Sequence, residues 1–390
     1  MATGPRSYLD HNATSRLRPE AAEALARALA LPGNPSSVHA EGRAARTVLE
    51  AARDAVAALV GAEPKNVIFT SGGTEANVTA LSPSFGRAGE PPATLLLIGA
   101  TEHPSVLEGH RFPPDRVERI PVNRDGVCDL AWLEGRLKRA AGERVLVSIH
   151  AANNETGVLQ PIADAARLTR EAGGLIHTDA VQVAGRLPLS LPALGIDALT
   201  LSAHKLGGPK GAGALVLASD RLDLADRLVR GGGQERGHRA GTENLPGIAG
   251  FGAAAVAAAR SLTEEEARLS ALRDFAQAEL CRLAPQAVVF GAATARLPNT
   301  LAFAIPEIKA ETGLIRFDLA GVALSSGSAC SSGKVKRSHV LAAMGVEPGL
   351  AEGALRLSLG WNSTKEDVIR FVEACETVVN TLYKRRVDAA

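Results

Sequence analysis

Asp179, in His-Thr-Asp-Ala-Val-Gln, and Lys205, in Ser-Ala-His-Lys-Leu-Gly-Gly-Pro-Lys-Gly, each stand at the exit of a short apolar run. Gly-Leu-Ile precedes the first and Ile-Asp-Ala-Leu-Thr-Leu the second. In a doubly wound sheet, ligands bind at such strand exits. A lysine at one exit can condense with an aldehyde, and a carboxylate at the neighbouring exit can keep a pyridine nitrogen protonated. Pyridoxal phosphate (PLP) requires that division of labour: a Schiff-base lysine, and an acidic partner that lets the ring act as an electron sink. Taken alone, each residue is more ordinarily a surface lysine or a helix-capping aspartate. The residues that accompany them favour the cofactor site.

A phosphate is held by backbone N–H groups and hydroxyls at a helix start. The run from Asn66 to Thr70, then Gly72, Gly73, Thr74 and Glu75, reads as a strand, a glycine turn and a polar helix entry. Ser202 and His204, beside Lys205, add donors for the same phosphate. His103, in Thr-Glu-His-Pro after an apolar strand, could lie against the ring and move protons, although a lone histidine is more often structural. Asn154 could bond the ring hydroxyl or a substrate carboxylate. Gln182, one helical turn beyond Asp179, is a second candidate for the ring oxygen. Arg356, in Ala-Leu-Arg-Leu-Ser-Leu, is an arginine on a strand face expected to be buried, where a substrate carboxylate is the economical partner.

Cys330 lies in Leu-Ser-Ser-Gly-Ser-Ala-Cys-Ser-Ser-Gly, too small and polar to pack a core. Such a loop suits an accessible nucleophilic thiol. A free cysteine has a pKa of about 8.5, so attack at neutral pH needs thiolate stabilisation, and Lys334, Lys336 and Arg337 are close enough in sequence to help. Cys128, Cys281 and Cys375 read as small core residues.

The elements that must position these residues follow from pattern. From about residue 20 to 260, helical periodicity alternates with short apolar strands at 66–70, 94–98, 144–149, 174–177, 198–202 and 212–218, the mark of βαβ units around a mostly parallel sheet. Gly207–Gly213 and Gly231–Gly233 read as backbone-driven loops. Near residue 262 the pattern changes. Thr263–Glu266 resembles a capping box, followed by Leu269, Leu272, Phe275, Ala276, Leu280 and Leu283 at helical spacing. The expected division is a large cofactor-binding domain over 16–262 and a small domain over 263–390, with segment 1–15 packing near the latter. The small domain should hold strands at 300–304 and 355–358 and a final helix from Lys365 to about Lys384.

Composition bounds the setting. A chain of 390 residues accommodates one or two cores sharing a cleft. Aromatics make up only 3%, so alanine, leucine and valine must fill those cores. A net charge of +1, from 43 basic and 42 acidic residues, offers no bulk attraction for nucleic acid or an anionic membrane. No apolar run approaches the roughly 20 residues of a spanning helix, and the start has no apolar signal core. Four widely spaced cysteines without a CxxC pair suit neither a disulfide framework nor a zinc site. The expectation is a cytoplasmic protein.

With these residues placed, the chain resembles, over essentially its whole length, the cysteine desulfurases of the class-V aminotransferase group within fold-type-I PLP enzymes. The resemblance is carried by Tyr8-Leu-Asp-His-Asn-Ala-Thr, Asn34-Pro-Ser-Ser-Val-His, Thr70-Ser-Gly-Gly-Thr-Glu-Ala-Asn, Thr101-Glu-His, Asn153-Asn-Glu, His177-Thr-Asp-Ala-Val-Gln and Ser202-Ala-His-Lys. It continues through Gly231-Gly-Gly-Gln-Glu-Arg-Gly-His-Arg-Ala-Gly-Thr-Glu-Asn, Ser325-Ser-Gly-Ser-Ala-Cys and Leu355-Arg-Leu-Ser-Leu-Gly. The cysteine segment is similar to that of the housekeeping and nitrogen-fixation branch.

The resemblance implies an α/β fold, with a mostly parallel seven-stranded sheet in the large domain and a smaller α+β C-terminal domain. It implies that Lys205 forms the Schiff base with PLP, that Asp179 pairs with the pyridine nitrogen, and that His103 stacks on the ring with acid/base roles. Gln182 and Asn154 would contact the ring oxygen; Gly73, Thr74, Ser202 and His204 would hold the phosphate. Thr242 would reach the phosphate of a neighbouring subunit, hence a homodimer. Arg356 with Asn154 would bind the carboxylate of L-cysteine, and Lys205 or His103 would move its α-proton. Cys330 would take the substrate sulfur as a persulfide and release alanine. The sulfur would pass to an iron–sulfur scaffold or a tRNA-thiolation relay protein, with Cys330 a transient cluster ligand at most and no resident metal.

The Lys334-Val-Lys-Arg run is more basic than expected of well-known relatives and bears on the acceptor. A class-V aminotransferase would share Lys205 and Asp179 but not need Cys330; selenocysteine cleavage would use the same site. A non-catalytic binding subunit would be expected to have lost Lys205 or Cys330. Gln234-Glu-Arg-Gly-His-Arg carries an acid and reads as a cofactor-edge loop rather than a nucleic-acid patch.

Overall fold

Seven short strands, six of them buried along their whole length, build the central sheet. In spatial order they are Val67–Thr70, Gly213–Leu217, Ala198–Ser202, Leu175–Asp179, Val145–Ser148, Leu95–Gly99 and Val117–Ile120. Only Gly213–Leu217 runs against its neighbours; the rest are parallel to one another. The structure is a computed structural model that describes residues 6–326 and 337–387, with side chains described as far as residue 381. Cys330, Lys334 and Lys336 therefore lie outside the described residues.

Continuous apolar runs are what a sheet covered on both faces demands. Leu95 and Leu97 enter one core while Leu96 and Ile98 enter the other, the two-residue period of a strand dividing side chains between faces. Val117–Ile120 was not expected from the sequence. It is an edge strand reading Val-Glu-Arg-Ile, with only Ile120 buried, so no apolar run announces it.

Helices Pro19–Leu29, Ala40–Val60 and the first half of Leu245–Leu283 cover one face. The last of these corrects the expected helix start at Thr263. The helix begins at Leu245, with the Asn244 side chain accepting from Gly247 N, and runs unbroken through Thr263 to Leu283. Ala253–Ala259 contains no breaker, so nothing stops the helix before the capping-box residues. Phe251, Ala254, Ala255 and Ala258 pack in the large core, and Leu269, Ala276 and Leu280 in the small one. The chain thus passes between cores inside a helix, without a linker. This is also the helix, among the described residues, apolar enough by composition to cross a bilayer, contrary to the sequence reading; its apolar window is 61% buried within the protein.

The small domain carries an antiparallel sheet in the order Val288–Val289, Thr300–Ala304, Leu355–Ser358, backed by helices Ala310–Leu319 and Lys365–Val387. Phe371 stacks on Phe317 and meets Phe303 edge-on at its centre. Ser7–Tyr8 pairs with Val322–Ala323, Leu9 enters the small core, and Asp10 bridges to Ser358. The chain then turns toward the large domain, so residues 10–15 lie between the two.

The loop from Gly231 to Asn244 is fastened from beneath. Glu235, at φ 47, receives both terminal nitrogens of Arg53 at 2.7 and 2.9 Å and the backbone N–H of Phe69 at 2.9 Å. Its neighbour Arg239 pairs with Glu75 at 2.9 Å.

Candidate active site

Asp179 ends its strand, Ser202 ends the adjacent one, and a single 3-10 turn, Ala203–Lys205, delivers Lys205 directly after. Asp179 is 8% exposed; its Oδ1 accepts from Val181 N at 3.0 Å and its Oδ2 from Asn77 Nδ2 at 2.7 Å. Lys205 Nζ donates to the backbone oxygens of Asn12 and Ala13, at 2.5 and 2.9 Å. Burial first, then the charges of Arg356 and Arg186, push the Lys205 amine down to about 7, against the opposing pull of Asp179 and Asp10. A lysine in that range is half unprotonated near neutrality and able to condense with an aldehyde or take a proton.

The adjoining cleft holds about 380 Å³ and is lined by Gly72, Gly73, Thr74, Ser202, His204 and Lys210, among others. The helix Gly73–Ala80 starts at its wall. The glycines are required by close approach: a Cβ on Gly73 would lie 3.0 Å from Val181 Cγ2, and one on Gly213 would meet the Gly72 carbonyl carbon at 2.5 Å. His204 is held down to about 4 by burial and by the charges of Lys205 and Lys210. A neutral imidazole beside two cations, at a helix start with a hydroxyl from Thr74, suits a phosphate. Together with the buried Asp179 carboxylate, this donor set fits PLP.

Around Lys205 the contacts extend across the cleft. Asn12 Nδ2 donates to the Asn154 carbonyl at 3.3 Å, and Arg356 Nη1 donates to the same oxygen at 2.8 Å. Arg356 Nη2 pairs with Asp10 at 2.7 Å, while its buried Nε has no partner among the described residues. His103 caps the short helix Pro104–Leu107 through Nδ1. Desolvation, joined by the charges of Lys205, His339 and His150, outweighs the opposing pull of Asp179 and holds its pKa below the ordinary imidazole range.

Gly73, Thr74, Ser202 and His204 line the cleft itself, with Lys205 next to His204; Asp179, His103 and Arg356 are close enough to act on the lysine by charge, and Asn154 is joined to it through Asn12. Gln182 adjoins them: its Nε2 donates at 3.1 Å to the same Asn12 carbonyl that Lys205 Nζ reaches, and its Oε1 accepts from Arg186. Thr242 is exposed and does not line the cleft of its own chain. Of the remaining cysteines, Cys128 and Cys375 are buried as expected but Cys281 is exposed, because its helix turns that face outward. Asp10, Asn12, Asn77, Ser105 and Arg186 were not picked out as functional. Asn77 stood in the polar helix entry and Asp10 and Asn12 in the Tyr8–Thr14 stretch, but nothing local signals partners 102 to 346 residues away.

A lysine and a carboxylate at adjacent strand ends, with a phosphate cradle after a strand two places from the lysine's, define a PLP enzyme of fold type I. The class-V aminotransferase family model matches residues 7–371. A cysteine desulfurase of Cereibacter sphaeroides is 43% identical over 97% of this chain and 96% of its own. The cysteine desulfurase NifS of Azotobacter vinelandii is 39% identical over 96% of this chain and 93% of its own. Among solved structures, a NifS-like protein from Rickettsia africae superposes with a TM-score of 0.87 at 35% identity, covering 96% of this chain and 99% of that one. The chain belongs to the class-V aminotransferase family and, within it, to the cysteine desulfurases. PLP is its cofactor.

Proposed function

We propose that this chain converts L-cysteine to L-alanine and takes the sulfur onto Cys330 as a persulfide. The observation that carries the reading is a lysine with a pKa near 7 joined to a buried arginine through Asn12 and Asn154, in a chain so similar to cysteine desulfurases. An amino acid whose carboxylate sits on Arg356 would have its α-carbon near Lys205. PLP, held by Asp179, Gly73, Thr74, Ser202 and His204, supplies an electron sink for that carbon. Arg356, kept oriented by Asp10 and the Asn154 carbonyl, binds and orients the carboxylate. Lys205 moves the α-proton. The Cys330 thiolate then forms a bond to the substrate Sγ as the substrate Cβ–Sγ bond breaks. The electron pair of the broken bond stays with carbon, which is protonated to alanine.

In this reading, the persulfide is passed to an acceptor serving iron–sulfur cluster assembly or tRNA thiolation. The protein works in the cytoplasm as a homodimer in which exposed Thr242 reaches the neighbouring subunit's cofactor phosphate. The fastened 231–244 loop supports that role, since it presents Thr242 outward on a rigid base. Alanine and sulfide release from L-cysteine with a reductant, beside Cys330→Ala, tests the proposal. Equal yields of both products, lost in the variant while the yellow colour persists, are expected. A yellow wild type that transaminates an amino acid with a keto acid and releases neither product refutes it.

A further inference from the structure

From Asp179 toward the cleft, three polar side chains, Asn77, Ser105 and His103, form a directed series of hydrogen bonds. Asn77 is 1% exposed, and its Nδ2 donates to Asp179 Oδ2 at 2.7 Å and to Ser105 Oγ at 2.9 Å. Reversing this amide would place Oδ1 against the Asp179 carboxylate, two acceptors with no proton between them. Asp179 therefore fixes which way Asn77 faces.

Ser105 Oγ accepts from Asn77 and so has its own hydrogen to give; His103 Nδ1 lies 2.8 Å away. The backbone N–H of Ser105 donates to the same Nδ1 at 3.1 Å. A backbone amide carries its hydrogen permanently, so Nδ1 must present a lone pair. Neutral His103 consequently bears its proton on Nε2, and no described residue accepts from it.

We propose that Asn77 and Ser105 are positioning residues that lock His103 as its Nε2–H tautomer, tie its orientation to the Asp179 carboxylate, and make it a hydrogen-bond donor to the cleft rather than a base. The inference rests on the desulfurase reading and divides roles within it. To act as a base at Nδ1, His103 would have to expel two donors; at Nε2 it has no lone pair. Lys205, the other group able to move the α-proton, has one. His103 Nε2–H is left to donate to negative charge developing in the cleft, including a substrate thiolate. The charged and titratable groups acting on His103 are Asp179, which favours the imidazolium, and Lys205, His339 and His150, which oppose it.

The test uses the full PLP-loaded chain with nitrogen-labelled histidine, His103 being assigned by the signal missing in His103→Gln. Above the His103 pKa, a pyrrole-type Nε2 and a pyridine-type Nδ1 are expected. A protonated Nδ1 in the wild type overturns the proposal, whatever the enzyme's activity. Ser105→Ala removes one of the two donors to the lone pair, so the His103 pKa should rise by about half to one unit, roughly three- to tenfold in its acid constant. Ser105→Thr should restore it. Asn77→Ala, which frees the Ser105 hydroxyl to turn, should shift it the same way. An unmoved titration in either folded alanine variant removes that residue's role; if an alanine variant does not fold, the wild-type tautomer still decides the lock. A chain with the expected tautomer that releases no alanine would refute the proposed function and leave this inference standing.

Discussion

The acid–base state of Lys205 in the cofactor-free chain can be followed directly. Its amine is pushed down to about 7, whereas a lysine in water titrates near about 10.4. At neutral pH about half of Lys205 should be free amine, against roughly one part in 2,500 for an ordinary lysine. The measurement is competitive labelling of the cofactor-free chain with trace acetic anhydride across pH. The peptide carrying Lys205 would be quantified by mass spectrometry, with exposed Lys210 as the reference for reagent decay. Lys205 labelling should reach half its plateau near pH 7. Arg356→Gln should raise that midpoint, because Arg356 is the largest influence after burial.

The sign of the linked stability follows. A folded pKa below the unfolded one means that the unfolded chain holds its proton more tightly, so the charged lysine disfavours folding. Lys205→Met should therefore stabilise the cofactor-free chain most below pH 7, with the gain shrinking as pH rises from about 7 toward about 10.4. Labelling that still climbs tenfold per unit above about pH 9 would mean an ordinary lysine, and the division of roles in the cleft would fail with it.

Other perturbations read other parts of the structure. Glu235→Gln leaves Arg53, whose side chain is 3% exposed, with only the half-exposed Glu50 as a charge partner, and should cost about 1.5–3 kcal/mol in urea denaturation; a loss too small to measure would show the pair to be slack. Gly213→Ala drives a methyl into the Gly72 backbone and should cost about 1–3 kcal/mol and lower PLP retention, read from the yellow absorbance after dialysis. In alkylation of the native chain, exposed Cys281 should react while Cys128 and Cys375 wait for unfolding. Burial raises both thiols, Cys375 to about 12, and early modification of Cys128 would contradict this.

Much of this was legible because strand exits concentrate chemistry. Lys205, Asp179 and the Gly72–Thr74 turn follow apolar runs long enough to read, so their neighbourhood in a parallel sheet could be inferred. Val117–Ile120 escaped because an edge strand needs only one buried side chain. The helix through Thr263 was misread because a capping sequence marks a start only where the chain is not already helical. Gln182 shows a different limit. Its position one turn past Asp179 was clear, but that Arg186 lies one further turn along, and takes its amide oxygen, is a fact of packing. Asp10 and Asn12 act across separations of 346 and 193 residues, which no local pattern encodes.

Those two separations bear on how the protein is made. Residues 7–15 leave the ribosome before any of the strands that receive them: Tyr8 waits for Ala323, Asp10 for Arg356, and Asn12 for Lys205 and Thr300. The large sheet can close during synthesis, since its strands end at Leu217. The carboxylate that steadies the arginine docks only once residues near 356 have emerged. Contacts of such long sequence separation are costly to close and form late. A nascent chain can thus own a nearly finished PLP domain and still have no working enzyme, its reactivity withheld until the earliest-made residues meet some of the last.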